Sequence, residues 1–309
     1  MKEKIIIGSR GSDLALYQAN FIKDILENKL NCEVEIKIVV TSGDRIDNLS
    51  FDKMEGKGFF TKEIEVELLN TNIDLAVHSL KDLMTTQPDG LKLGAVGFRV
   101  DRRELLLIKK EAHTGEGLIP VKKGGIIGTS SPRRKCQIVY NNRHLEIKDL
   151  RGNVPTRIRK LREGQYDSII IATAGVDRLE LDISDLVAIR LDPENFLPAP
   201  AQGILGLQIR SDDSRVEQIL NKINDENDKK AADLERGLLA KYDTGCSLPL
   251  GIFSEVDGES YRIKAVLGAS DDNGWAGLRM IDLKGDNIKE LVDRAYEQLN
   301  EGKICPVLE

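Results

Sequence analysis

The sequence predicts an α/β protein that carries a smaller, separate α+β domain at its C-terminal end. Three observations support this expectation. Strand-like and helix-like segments alternate through the first two thirds of the chain. The last third breaks that alternation with two neighbouring strands and one amphipathic helix. A length of 309 residues supplies material for two or three domains with cores of their own. A composition of 40% hydrophobic and 31% charged residues is that of a folded globular chain.

The first strand is expected at Lys4–Gly8. Leu14, Tyr17, Phe21, Ile22, Ile25 and Leu26 then recur at helical spacing. A strand at Val34–Val40 and a helix at Thr61–Leu69 come next, then strands at Asp74–Val77, Leu91–Val96, Glu104–Ile108 and Ile126–Gly128. Ser131 followed by Pro132 reads as an N-cap and first helical residue. Leu145–Ile147 is a short strand, Pro155–Arg162 a helix and Asp167–Ala172 another strand. Such alternation predicts mostly parallel sheets. Beyond it, "YRIKAVLGAS" (261–270) and "GLRMIDLKG" (277–285) read as antiparallel neighbours. Ile288, Leu291, Val292, Ala295, Tyr296 and Leu299 give one apolar helix face. The polar run "NDENDKK" (224–230) is expected as a boundary preceding the first helix of this last domain.

Charge narrows the function classes. The net charge of −6 argues against a general nucleic-acid binder. Yet between Val121 and Arg162 stand twelve lysines and arginines against two acids, Glu146 and Asp149. A basic middle in an acidic chain points to a small anionic ligand bound locally. No apolar run approaches membrane-spanning length, and the opening "MKEKIIIGSR" lacks the pattern of a secretory signal, so a cytoplasmic location without membrane attachment is expected. Cys32, Cys136, Cys246 and Cys305 are far apart and form no CxxC pair, and the three histidines are scattered, so no metal site is expected.

In open α/β sheets, ligands bind beyond the carboxyl ends of strands, often at helix N-termini. The residues following the strands are "SRGS" (9–12), "TSGD" (41–44), "HSLKD" (78–82), "GTSSPRR" (128–134), "LRGN" (150–153) and "ATAG" (172–175). Small, hydroxylated and cationic side chains of this kind suit carboxylates or phosphates. Helix capping explains the serines and threonines but not the arginines. Arg133 and Arg134 stand at a helix N-terminus, where the macrodipole disfavours cations unless an anion offsets it. Asp82 is either an acid that moves protons and steadies a developing cation, or a surface partner of Lys81. His78 reads as a structural, hydrogen-bonded histidine. "EGKGFFTKEIE" (55–65), with Lys57, Phe59 and Phe60, is a mobile lid or an ordinary loop. Cys246 sits in "TGCSLPLG", a turn-like setting that suits a reactive thiol without requiring one.

Taken together, "GSRGSDLALYQA" (8–19), "GKGFFTKEIE" (56–65), "DLAVHSLKD" (74–82), "GTSSPRRKCQ" (128–137), "LRGNVPTRIRKLREGQYDSIIIATAGVDRL" (150–179), "LPAPAQG" (197–203) and "GCSLPLG" (245–251) closely resemble the porphobilinogen deaminase (hydroxymethylbilane synthase) family, in family order and over most of the chain. The resemblance implies two type II periplasmic-binding-protein-like domains with a cleft between them, and a third, smaller domain. The expected divisions are 1–99 with 200–219, 100–199, and 220–309. It implies a transferase that condenses four porphobilinogens head to tail, with loss of ammonia, onto a dipyrromethane cofactor. The cofactor is held as a thioether on Cys246, and hydrolysis then releases hydroxymethylbilane. Asp82 matches the catalytic aspartate. Arg10, Ser12, Lys81, Thr129, Ser131, Arg133, Arg134, Arg151, Arg157, Arg178 and Gln202 match residues that hold the acetate and propionate groups. Lys57, Phe59 and Phe60 match a lid loop. A monomer is expected.

The chain departs from the family pattern at Thr244 and Ala201, where glycine is usual, at Ser247, at Gln208 in place of glutamate, and in "KDLMT", which lacks a proline. A rival from another class is a non-catalytic two-domain binding protein for a small carboxylate, which needs neither Cys246 nor Asp82.

Overall fold

The computed structural model of the chain describes residues 2–41, 61–242, 248–271 and 274–307. These form two compact units, one of residues 1–100 and 203–232, the other of residues 101–202 and 233–309.

The first unit is built on one five-stranded sheet. Its strands are β1 (Lys4–Ser9), β2 (Glu33–Ile38), β3 (Leu75–Ser79), β4 (Leu91–Gly97) and β10 (Leu205–Arg210), in the order β2-β1-β3-β10-β4. β1 runs parallel to β2 and β3, while β10 is antiparallel to both β3 and β4. The sheet is therefore mixed, not mostly parallel. Its fourth place is taken by a strand that arrives from far along the chain, running against its neighbours. Helix α1 (Asp13–Leu30) buries Ala19, Ile22 and Leu26 against Ile5, Ile7 and Leu75. It ends at Asn31, whose left-handed backbone (φ 54°) returns its N–H to Leu26 O. Helix α2 (Lys62–Leu69) buries Ile64 and Leu68 in a second cluster with Ile73 and Ala76.

The second unit holds two sheets. The larger contains β5 (Glu104–Ile108), β6 (Ile126–Gly128), β7 (Glu146–Lys148), β8 (Ser168–Ala172) and β9 (Val187–Arg190), in the order β7-β6-β8-β5-β9. β6 is parallel to β7 and β8, and β5 is antiparallel to β8 and β9. This is the pattern of the first sheet again: three parallel strands with the first in the middle, then a reversed strand, then a fifth. Helices α3 (Pro132–Asn141), α4 (Val154–Arg162) and α5 (Thr173–Arg178) each follow one of its parallel strands. The N-cap at Ser131 with Pro132 in the first turn is as expected, although the Ser131 side chain makes no capping bond. Asn153 caps α4 by accepting from the Thr156 N–H.

The smaller sheet is antiparallel, β11 (Leu250–Asp257), β12 (Ser260–Asp271), β13 (Gly274–Gly285) and β14 (Cys305–Pro306) in chain order. Helix α8 (Ile288–Glu301), after α6 (Ser214–Leu220) and α7 (Glu226–Ala240), lays Leu291, Val292, Ala295 and Leu299 on Ile263, Ala265 and Ile281. The run 224–230 does not precede a helix as expected; from Glu226 onward it is the first turn of α7. Acidic residues at a helix N-terminus complement the macrodipole, which is why a polar run starts a helix here, and the two compact units divide within that helix, between Ala232 and Asp233.

Ala201, one of the departures from the family pattern, has a left-handed backbone at φ 59°. A side chain at that angle costs about 1–2 kcal/mol. The fully buried Glu235 of α7 grips this residue, its Oε2 accepting from the Ala201 N–H at 2.6 Å while Oε1 accepts from Ser254 Oγ at 2.6 Å. A charge-assisted bond of this kind offsets the strain.

Candidate functional site

In the first unit, the parallel strands β1 and β3 end side by side. β1 leads through Arg10 into Ser12, the N-cap of α1. β3 leads into a single 3₁₀ turn, Leu80–Asp82, that carries Lys81 and Asp82. Together these ends line a pocket of about 90 Å³ with Arg10, Ser12, Gln18, Thr61, His78, Ser79 and Asp82 on its wall. Asp82 is exposed, and Arg10, Ser12 and Lys81 are half-buried. The structure thus brings together a cation, a hydroxyl and a carboxylate where strand topology places ligands.

The pocket has a polar floor that sequence reasoning missed. Gln18, buried on α1, donates from Nε2 to Ser79 Oγ at 2.8 Å. His78 Nε2 lies 3.1 Å from Oε1 of the fully buried Gln208 on β10. Gln208 Nε2 in turn donates to Glu65 Oε1 at 3.2 Å and Gln87 Oε1 at 2.9 Å. Burial, with the positive charge of Arg10 nearby, pulls the His78 imidazole down to about 4 despite the Gln208 bond, so the ring is neutral at pH 7. Expecting a hydrogen-bonded histidine was right; its partner, 130 residues away, has no local sequence signal.

In the second unit, β6 leads to Thr129 and Ser131, β7 leads to Arg151, and β8 runs into α5, which carries Arg178. Thr129 is buried, and its Oγ1 accepts from the Ser131 N–H at 3.2 Å. Arg157, on α4, donates from Nε to Gly152 O at 2.7 Å. Arg151 is half-buried, and Arg178 is buried at the end of α5.

At Arg133 and Arg134, which are expected to meet a bound anion, the structure supplies an anion as well. The anion they reach belongs to the fold. Glu104, fully buried at the start of β5, sits with Oε1 at 2.7 Å from Arg133 Nη2 and Oε2 at 2.7 Å from Arg134 Nη2. Arg133 also donates to Leu197 O at 2.9 Å and Arg134 to Ile170 O at 3.0 Å. Both guanidiniums are buried, and burial followed by the neighbouring Arg134 charge drags Arg133 below its ordinary range against the pull of Glu104. Gln202 is likewise fully buried, and its Nε2 donates to Arg102 O at 2.9 Å. In the sequence alone, Glu104 is only the first residue of an expected strand.

Cys246, Lys57, Phe59 and Phe60 lie outside the described residues, as do Thr244 and Ser247. Burial pushes the Cys136 thiol up to about 12, which makes it core filling. Among the described residues no group of three or more His, Cys, Asp or Glu gathers as metal ligands would, and no helix is long and apolar enough to cross a membrane.

The residues present fit a group carrying several carboxylates. Cations and hydroxyls gather at the carboxyl ends of β6, β7 and β8. In addition, Arg134 Nε and Thr173 Oγ1 are buried donors with no hydrogen-bond partner among the described residues.

Comparison with known proteins agrees. A family model described as "Porphobilinogen deaminase, dipyromethane cofactor binding domain" matches residues 5–218. The porphobilinogen deaminase of Macrococcus caseolyticus is 42% identical over 269 residues, 87% of this chain and 86% of that one. That of Maridesulfovibrio salexigens is 36% identical over 311 residues, 96% of this chain and 99% of that one. Among solved structures, the OxyR2 regulatory domain of Vibrio vulnificus matches 72% of this chain and 93% of its own at 12% identity, with a TM-score of 0.45, too slight a likeness to bear on ligand or activity.

Proposed function

The chain belongs to the porphobilinogen deaminase family, and we propose from that premise that it condenses four porphobilinogens head to tail and releases hydroxymethylbilane, as a transferase. The observation that carries this reading is the pocket at the ends of β1 and β3, which sets Arg10 and Ser12 beside Asp82 in a chain of this family.

Each addition breaks a C–N bond and makes a C–C bond. The amino group of porphobilinogen leaves as ammonia while its methylene carbon stays to form the new C–C bond, and positive charge passes to the pyrrole ring. Asp82 is the group for that moment. Its carboxylate faces the ring N–H, steadies the cation, and accepts the proton lost when the new C–C bond restores aromaticity. Arg10, Ser12 and Lys81 hold the acetate and propionate groups so that the ring meets Asp82 edge-on. In the second unit, Thr129, Ser131, Arg151, Arg157 and Arg178 serve carboxylates of the growing chain. Arg133, Arg134 and Gln202 serve the same carboxylates, held in place by their bonds to Leu197 O, Ile170 O and Arg102 O. The dipyrromethane cofactor supplies the pyrrole α-carbon to which the first new unit is joined, and Cys246 is its proposed thioether anchor. Lys57, Phe59 and Phe60 belong to the proposed lid. The domain division of 1–99 with 200–219, 100–199, and 220–309, a monomeric state, and a cytoplasmic location without membrane or nucleic-acid partner complete the proposal.

Intact mass under denaturing conditions tests it, with peptide mapping around Cys246. An excess equal to two linked pyrrole units on that peptide is expected, together with ammonia and hydroxymethylbilane from added porphobilinogen. A bare polypeptide that stays bare after incubation with porphobilinogen, and releases neither product, would make the chain a carboxylate-binding protein instead.

A further inference from the structure

The floor of the Asp82 pocket fixes one histidine in a single protonation state, through a relay of side-chain amides. Gln87 Nε2 donates to the backbone carbonyl of Met84 at 2.8 Å, an atom that can only accept. The oxygen of Gln87 is therefore the end that faces Gln208. Glu65 Oε1, the second neighbour of the Gln208 amide, belongs to a carboxylate. Two acceptors require the NH₂ end of Gln208 to point at them, which leaves Gln208 Oε1 for His78. His78 Nε2 must then carry the hydrogen. Since the ring is neutral, Nδ1 carries a lone pair. Among the described residues Nδ1 has no hydrogen-bond partner, and the ring lines the same pocket as Asp82.

We propose that His78 presents its Nδ1 lone pair to the Asp82 pocket and there accepts a hydrogen bond from the aminomethyl nitrogen of the substrate. This rests on reading that pocket as the porphobilinogen site. The chemistry favours a neutral acceptor. The C–N bond breaks with its electron pair on nitrogen, so –CH₂–NH₃⁺ must keep its third proton to leave as NH₃ while the positive charge passes to the ring. A buried imidazole that resists protonation is too weak a base to take that proton, yet it still orients the ammonium. It also adds no negative charge to a site that must admit two substrate carboxylates. A glutamate in place of Gln208 would set a carboxylate 3.1 Å from Nε2 and favour the imidazolium, which has no lone pair to offer.

Two substitutions separate this role from a merely structural one. His78→Gln keeps a nitrogen donor for Gln208 and loses the acceptor at the Nδ1 position. His78→Asn keeps an oxygen acceptor near Nδ1 and loses the reach to Gln208. In the holoenzyme, His78→Gln is expected to raise KM for porphobilinogen about tenfold, the weight of one hydrogen bond to a charged donor, with a smaller change in His78→Asn. The reverse order, or equal effects, would make His78 a packing residue and overturn the proposal. Imidazole ¹⁵N shifts of the wild-type protein provide a second reading that needs no variant to fold. A protonated Nε2 with an unprotonated Nδ1 is expected at pH 7, and a protonated Nδ1 would refute the idea. If wild-type protein releases no ammonia from porphobilinogen, the reading of the pocket itself falls. Normal turnover with an unaltered His78→Gln removes the histidine's role alone.

Discussion

The two five-stranded sheets share one plan, with orders β2-β1-β3-β10-β4 and β7-β6-β8-β5-β9, and both set polar residues after the carboxyl ends of their parallel strands. They handle charge in opposite ways. The first presents an exposed carboxylate, Asp82, in a pocket that His78 and Gln18 also line, both buried and hydrogen-bonded. The second draws charge inward, where Arg133, Arg134 and Glu104 make a buried cluster of two cations and one anion. Topology decides where a ligand can sit. Burial decides which of the charges gathered there remain available to it.

The comparison breaks most sharply at Asp82. Asp82→Asn is expected to lower ammonia release about 10²–10³-fold, as loss of a preorganised electrostatic group does. Because the residue is exposed, its urea midpoint should stay at the wild-type value. Near-normal turnover would mean that the first sheet's carboxylate is a surface group and that the chemistry lies elsewhere.

The mirror experiment is Glu104→Ala in the second sheet. It leaves two buried guanidiniums without their counter-charge, so a loss of about 3–5 kcal/mol in unfolding free energy is expected. Urea titration measures it. An unchanged midpoint would show that Arg133 and Arg134 are held by something other than Glu104.

These two sites also show what a linear reading can recover. Strands Glu104–Ile108 and Ile126–Gly128 were legible to the residue, because their apolar runs are too short for a buried helix. Asp82, Arg10 and Ser12 were legible because they follow strands, and strand ends are local features. β9 and β10 were not anticipated, and β10 is the strand that makes the first sheet mixed. Pairing partners far apart in the chain leave no local periodicity. Arg133 and Arg134 were found, but their partner was not, since Glu104 lies some thirty residues upstream inside an apolar strand. The His78–Gln208 contact spans 130 residues and was hidden for the same reason.

A smaller difference between the sheets appears in their response to acid. Buried His78 sits at about 4, below its ordinary value of 6.5. As pH falls, the unfolded chain takes up that proton first. The stabilisation is therefore complete above pH 6.5 and is lost progressively down to pH 4, an effect of roughly 3 kcal/mol. The second unit has only the exposed His113 and His144. Its carboxylates Asp101 and Asp167 are held below their ordinary range by hydrogen bonds from Arg103 and from the Ile126 N–H respectively, against the opposing effect of burial, so they lose stability only at lower pH. Unfolding free energies measured between pH 7 and 4.5 should slope downward, and His78→Asn should flatten the slope. A wild-type profile flat over this window would place His78 in contact with water.

The finest distinction lies within one helix of the second sheet. Arg157 is half-buried and bonded to Gly152 O, while Arg159 is exposed and pairs with Glu163 at 2.6 Å, four residues on. Two helical positions are about 200° apart around the axis, so the two arginines face different directions although each adds one charge to the same element. Arg159→Gln should cost no more than about 0.5 kcal/mol, the usual weight of an exposed ion pair, and leave elongation untouched. Arg157→Gln should slow the appearance of the longer enzyme-bound intermediates, visible as separate masses. Equal behaviour of the two variants would mean that the second sheet attracts carboxylates through its summed positive field and not through placed guanidiniums. In that case its buried arginines would contribute as much as its exposed ones, and the division of labour between the sheets would rest on Asp82 alone.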